Sequence, residues 1–176
     1  EGILALCGSQ PILYQEDPYV GFSSYVPLFV ERQDPASGKT IRATAPNKRT
    51  LFNYQEFPVE KAPDAYRIFC MCGSTTYGRP YNDKTSFCGW LRVLLPEADP
   101  SRRWELVNAG ADSYASYRVA LLMEELIRYQ PDLFIVYTGQ NEFLERRNFS
   151  KILETPAPVR EIVSLANKTR TFSSLT

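Results

Sequence analysis

Tyr66-Arg67-Ile68-Phe69-Cys70-Met71-Cys72-Gly73-Ser74-Thr75-Thr76-Tyr77-Gly78 is the stretch whose reading decides the fold. A largely apolar run enters a tight Gly73-Ser74 turn, and a helical pattern follows after a short loop. An α/β fold exposes a hydroxyl nucleophile in this way, at the carboxyl end of a strand. The strand is read from Tyr66 to Met71. Cys70 and Cys72 lie two apart and share one face of it.

The same alternation repeats downstream. Phe87, Trp90, Leu91 and Leu94 fall at helical spacing, which predicts a helix from Ser86, a capping residue, to Leu95, with Pro96 as its stop. Glu105-Leu106-Val107 predicts a second strand, and Asn108-Ala109-Gly110 the turn after it. Val119, Leu122, Met123 and Leu126 mark one face of a helix over 113–129, with Glu124 and Arg128 as an exposed i,i+4 pair and Pro131 as its end. Leu133 to Tyr137 is apolar throughout, the pattern of a strand covered on both faces. Gly139-Gln140-Asn141-Glu142 is the turn that leaves it. Connections of this length predict a parallel sheet with right-handed crossovers. Beyond Glu142 the pattern thins to one amphipathic helix, marked by Val159, Ile162, Val163 and Ala166, with Pro156 or Pro158 at its start.

Residues 1–65 read differently, as an extension packed on the main domain of residues 66–176. They are rich in Pro, Tyr and Phe and lack helical periodicity. Tyr25-Val-Pro-Leu-Phe-Val-Glu31 and Lys39-Thr-Ile-Arg-Ala-Thr44 are strand candidates. Asp34-Pro-Ala-Ser-Gly38 between them has turn chemistry, which predicts a hairpin whose first strand, bearing Pro27, lies at an edge. Gly2 to Cys7 is apolar but far short of the ~20 residues that span a bilayer. It reads either as the tail of a membrane anchor or as a first core segment.

Composition narrows the functional classes. A chain of 176 residues suits one domain with a real core. Its 20 basic and 20 acidic side chains cancel, so no bulk field points to nucleic acid or an anionic surface. The 4 cysteines include one Cys-x-Cys pair and no second pair, and the chain has no histidine, so they read as small buried apolar residues rather than a zinc site. No metal or cofactor is expected. Gly73 and Gly78 have the spacing of a phosphate-binding loop, but Arg79-Pro80 replaces the lysine and hydroxyl that such a loop needs. Asn148-Phe-Ser150 and Asn167-Lys-Thr169 fit the glycosylation pattern, which matters only in a eukaryotic secretory setting.

The turns at Ser74, Gly110 and Asn141 should cluster at one sheet edge, where open α/β folds place ligands. Together they offer a hydroxyl, a closely approachable backbone N–H and a side-chain amide, the groups that acyl transfer through a tetrahedral intermediate requires. Each has a bland reading beside this one. Ser74 can cap a turn, Gly110 can serve a tight turn, and Asn141 can make an Asx-turn. Tyr77, Tyr81, Tyr114 and Tyr117 either line a sugar or acyl pocket or pack at the domain surface. Glu142, Glu145, Arg146 and Arg147 form a solvated turn, or Glu142 holds the loop that aims Asn141.

The order Gly73-Ser74, Gly110, Gly139-x-Asn141 resembles blocks one, two and three of the SGNH/GDSL hydrolases. The contexts Gly-Ser-Thr-Thr-Tyr-Gly, Ser-Phe-Cys-Gly-Trp-Leu and Tyr-Thr-Gly-Gln-Asn-Glu-Phe-Leu-Glu look like bacterial members with an N-terminal extension, over about Asp64 to Glu145. The resemblance implies a flavodoxin-like, three-layer α/β/α fold. It implies Ser74 as nucleophile and, through its own N–H, as oxyanion donor, the Gly110 N–H as second donor and the Asn141 side-chain amide as third. The activity implied is that of an ester hydrolase or acyl transferase working through a serine acyl-enzyme on a small-molecule or glycan ester. An extracytoplasmic setting with an anchor upstream of residue 1 goes with it.

Two residues depart from the blocks. Cys72-Gly73-Ser74 stands for Gly-Asp-Ser, and Glu142 for the aspartate that follows the block-three asparagine. The family's Asp-x-x-His block, which carries the base, has no counterpart. The expectation is therefore a domain cut before its last strands and inactive alone. The alternative is a complete, non-catalytic module that binds a glycan or a protein on a degenerate SGNH fold.

Overall fold

The computed structural model of the chain describes residues 1–12, 21–22 and 26–175, and among these not the side chains of Glu145 and Arg146. It is a mixed α/β structure with two separate sheets. The first is antiparallel, in the order β1 (Phe29–Gln33), β2 (Thr40–Thr44), β3 (Glu56–Pro58). Asp34 makes the hairpin turn by accepting bonds from the Ala36 and Ser37 N–H groups. The expected edge strand is β1, although it begins at Phe29, and Tyr25 lies outside the described residues. Strand β3 had no periodicity to announce it.

The second sheet is parallel, in the order β5 (Arg103–Gly110), β4 (Ala65–Cys72), β6 (Leu133–Tyr137). Alternation along β4 divides two cores. Phe69 and Met71 join Val107, Ala109 and the apolar face of α4 (Ser116–Leu126). Ile68 and Cys70 join Leu106 and Cys88 beneath α3 (Phe87–Ala98). The first core also takes in Leu28, Phe29, Phe52 and Phe57, so the extension and the parallel sheet share one hydrophobic interior. Phe57 meets Phe69 edge to face at 5.6 Å. Cys70, Cys72 and Cys88 are buried as expected, whereas Cys7 is exposed.

Several boundaries differ from the sequence reading, each for a local reason. Ser86 caps α3 as expected by accepting the Gly89 N–H at 3.0 Å, but Pro96 does not stop the helix, which runs to Ala98. A proline so near the end removes only one bond of the fraying last turn. Helix α4 is shorter than 113–129. It ends at Leu126, tightens into a 3-10 turn over Ile127–Tyr129 and stops at Gln130, whose φ of 55° is left-handed. Glu124 and Arg128 are exposed, with no ion pair recorded between them. The covering expected on β6 is also incomplete. Among the described residues it pairs only with β4, and Leu133, Val136 and Tyr137 are exposed. Gly2 to Cys7 is no core segment. It forms a short helix, α1 (Gly2–Leu6), with no buried residue. No described helix is long and apolar enough to cross a membrane.

One charged residue sits at the centre of the β4 run. Arg67 is 0% exposed. Its guanidinium donates to Glu105 Oε2 at 2.7 Å, to the Tyr129 carbonyl at 2.6 Å and to the Pro58 carbonyl at 2.9 Å, and it stacks on Phe57. These partners belong to β5, the 3-10 turn and β3, so one side chain ties the extension to the parallel sheet. Removing one member of a buried pair leaves the other charge uncompensated, at a cost of about 3–5 kcal/mol. Arg67→Met should therefore lower the urea midpoint sharply. Arg67→Met combined with Glu105→Leu should recover much of the loss, and equal damage in the single and double variants would refute the pairing.

Candidate functional site

Register brings the three carboxyl ends of the parallel sheet together. Cys72 lies opposite Gly110 on one side and Tyr137 on the other. Ser74 follows β4 by two residues as the first residue of α2 (Ser74–Tyr77), and it is half-buried. Its N–H belongs to the first turn of a helix and so has no acceptor within that helix. Gly73 caps α2, and Gly78, with φ of 110°, ends it.

Asn141, at 7% exposure, donates from Nδ2 to the Tyr114 carbonyl at 2.8 Å. The same amide nitrogen lies against Gly73, where any Cβ would collide with it and approach the Tyr114 carbonyl to 3.0 Å. The Asn141 amide is thus beside the Ser74 turn, and the close approach explains why residue 73 is glycine. Gln140 adds a second link across the edge, from Nε2 to Thr75 Oγ1 at 3.0 Å.

Gly110 occupies a different setting from the one read in the sequence. It is the last residue of β5, not part of a turn, and its N–H donates to Asn108 Oδ1 at 3.0 Å. That N–H is spent inside the protein. The glycine serves close packing, since a Cβ would fall 2.5 Å from the Tyr77 nitrogen and 2.7 Å from the Thr76 carbonyl carbon. The loop beyond it turns sharply before α4. Ser113 has a left-handed φ of 60°, and its N–H has no hydrogen-bond partner among the described residues. The neighbouring Tyr114 carbonyl holds this loop to Asn141 and Gly73.

A buried polar network lies behind the turns. Asn108 Nδ2 donates to the Thr76 carbonyl at 2.8 Å and to Asp83 Oδ1 at 2.6 Å. Arg92 donates to Asp83 Oδ2 and to Gln55 Oε1, both at 2.6 Å. Gln55 completes the ring by accepting the Asn108 N–H at 2.9 Å and donating to Asp83 Oδ2 at 3.0 Å. Asn53 Nδ2 donates to the Tyr77 carbonyl at 2.7 Å. Two residues of the extension therefore brace the α2 segment that carries Ser74. Asn108 stood within the quoted Asn-Ala-Gly turn. Gln55, Asp83 and Arg92 had no sequence signal, because apart from the Arg92–Asp83 pair their partners lie tens of positions away.

The tyrosines divide. Tyr114 is core, edge to face with Phe52 at 5.2 Å and under the Arg118 guanidinium. Tyr81 and Tyr117 are exposed, and Tyr77 stacks with Arg79, which also pairs with Asp112 at 3.7 Å. Cys70 is no nucleophile: its hydrogen bond to the Cys88 thiol and its burial push its pKa far up. Among the described residues no group of three His, Cys, Asp or Glu side chains could hold a metal ion.

Compared with known proteins, the chain matches no family model, no curated protein and no solved structure.

Glu142 does hold the Asn141 loop. Its carboxylate accepts from the Ser116 N–H at 2.8 Å, the Ser116 hydroxyl at 2.7 Å and the Thr138 hydroxyl at 3.0 Å. It thereby supplies the cap that α4 lacks locally, since the cap residue is Ala115. The Ser116 bonds hold the Glu142 carboxyl below its ordinary value of 4.5. A lowered carboxylate contributes stability that is present above the unfolded value and is lost as pH falls through the folded one. Glu142→Gln should cost about 1 kcal/mol near neutral pH, the usual worth of a helix cap. Below the ordinary glutamate range the two proteins should converge in stability. Parallel curves of unfolding free energy against pH would show that the carboxylate charge does no work here.

Proposed function

We propose that this chain carries the serine nucleophile and oxyanion donors of an SGNH/GDSL-type acyl hydrolase or acyl transferase, on a flavodoxin-like, three-layer fold. The observation that supports the reading best is the Asn141 amide set against Gly73, beside a half-buried Ser74 at the carboxyl end of a central parallel strand. In this reading Ser74 Oγ attacks an ester carbonyl. The Ser74 N–H and the Asn141 amide receive the developing oxyanion. The Gly110 N–H is engaged by Asn108, so it takes no part in these steps. Collapse expels the alcohol and leaves an acyl-enzyme, which water or a sugar hydroxyl then discharges. No cofactor enters these steps.

The base that should take the Ser74 proton is not among these 176 residues, which contain no histidine. The same observation favours the second reading, a non-catalytic module that binds a glycan or protein at this edge.

Chemical rescue separates the two. A fluorophosphonate probe adds to Ser74 Oγ with loss of fluoride, and the serine proton must go to a base. The expected result is slow labelling of Ser74 that free imidazole accelerates, with Ser74→Ala unlabelled and Asn141→Ala much slower than the parent. Labelling that ignores imidazole and persists in Ser74→Ala would sink the hydrolase reading.

A further inference from the structure

A hollow of about 690 Å³ opens at the amino end of the parallel sheet, opposite the Ser74 edge. Lys39, Pro58 and Lys61 line it from the extension, and Arg103 and Glu105 line it from the start of β5. Side chains alternate along a strand, so Arg103 and Glu105 share the face of β5 that carries Val107 into the core with Phe57. Glu105 stands opposite Arg67 in register and is its ion-pair partner. The pair uses one of the two carboxylate oxygens. Oε2 accepts from Arg67 Nε at 2.7 Å, whereas Oε1 is buried and has no hydrogen-bond partner among the described residues. The Glu105 side chain is 8% exposed. An ionised carboxylate oxygen can only accept, and leaving it unmet in the interior costs free energy.

The charges left free around the hollow decide what it can take. Lys61 is held by Asp132, and Glu31 by Arg42. Lys39 and Arg103 are exposed at the rim, and neither side chain has an ion pair among the described residues. Glu60 is the one lining acid in the same state. Two free cations against one free acid favour an anionic group at the rim. Glu105 calls for a different group. Arg67 already balances its charge, so a second cation there would lie against a buried guanidinium. A neutral donor, such as a hydroxyl, meets Oε1 without that repulsion.

We infer that this hollow is a binding site for a hydroxylated anion, a small sugar that carries a carboxylate or a phosphate. A sugar hydroxyl donates to Glu105 Oε1, and the Arg103 guanidinium and the Lys39 ammonium take the anionic group. The volume falls within the ordinary range of small-molecule sites. The site lies at the far end of the sheet from Ser74 and depends on none of the chemistry proposed there.

The test is calorimetric titration of the 176-residue chain with glucuronate and with glucose 6-phosphate. Glucose, which lacks the anion, and cyclohexanecarboxylate, which lacks the hydroxyls, are titrated beside them. The expected result is saturable binding of at least one sugar anion, and the one that binds identifies the anionic group. Glucose and cyclohexanecarboxylate should each bind about tenfold more weakly or worse, as loss of the charged contact or of the hydroxyl bonds requires. Arg103→Gln with Lys39→Gln should weaken the sugar anion by a similar factor. This double variant should keep the parent's urea midpoint, because neither side chain has an ion pair to lose. Arg79→Gln, at the opposite end of the sheet, should change nothing. Absence of binding to both sugar anions overturns the proposal. So does binding that the double variant leaves intact, or that glucose or cyclohexanecarboxylate equals.

Discussion

A guanidinium with no access to water organises this molecule. Arg67 stands in the middle of the central strand, and only its full set of partners makes that position tolerable. Those partners come from β3, β5 and the turn after α4, elements far apart in sequence. Satisfying one charge therefore fixes how the antiparallel sheet of the extension sits on the parallel sheet. The aromatic cluster of Phe29, Phe57, Phe69 and Tyr129 fills the space around that link. Hydrophobic burial supplies most of the driving force, and the ion pair supplies the register.

The extension then takes on a second task. Gln55 and Asn53 reach the back of the Ser74 turn, one through Asn108, Asp83 and Arg92, the other by binding the end of α2 directly. On the opposite side Glu142 binds the start of α4 and holds the loop that presents Asn141. The candidate site is thus positioned by residues that never touch a substrate in the proposed reaction. Fixed loops of this kind are what oxyanion stabilisation needs, because a donor that must move into place loses its advantage.

Two of the places where the structure departs from the sequence reading are instructive. Gly110 reads as a turn glycine because Asn-Ala-Gly is turn chemistry, yet the strand continues through it and the residue exists to let α2 approach. The helix over Ala157–Ala166 has the expected period and starts beside Pro156, but Val159 and Ile162 of its apolar set are exposed. Periodicity identifies a face and says nothing about which way it points. Arg160 is buried on the inner side, where its Nη1 donates to the Ile152 and Thr155 carbonyls.

The sequence by itself determined the local grammar. It set the order of strands and helices from Tyr66 to Tyr137, the hairpin turn at Asp34, the Ser86 cap and the Gly73-Ser74 turn, since each depends on neighbours within a few positions. It also brought Ser74 and Asn141 to one sheet edge, because parallel strands place their carboxyl ends together. The tertiary structure alone decided that Arg67 is a buried tie, that Gln55, Asp83, Arg92 and Asn108 form one network, and that the helix over Ala157–Ala166 buries Arg160 and Ser164 while Val159 and Ile162 are exposed. The physical reason is common to all three. Each depends on which groups become desolvated together, and desolvation is a property of the packed chain, not of any window of its sequence.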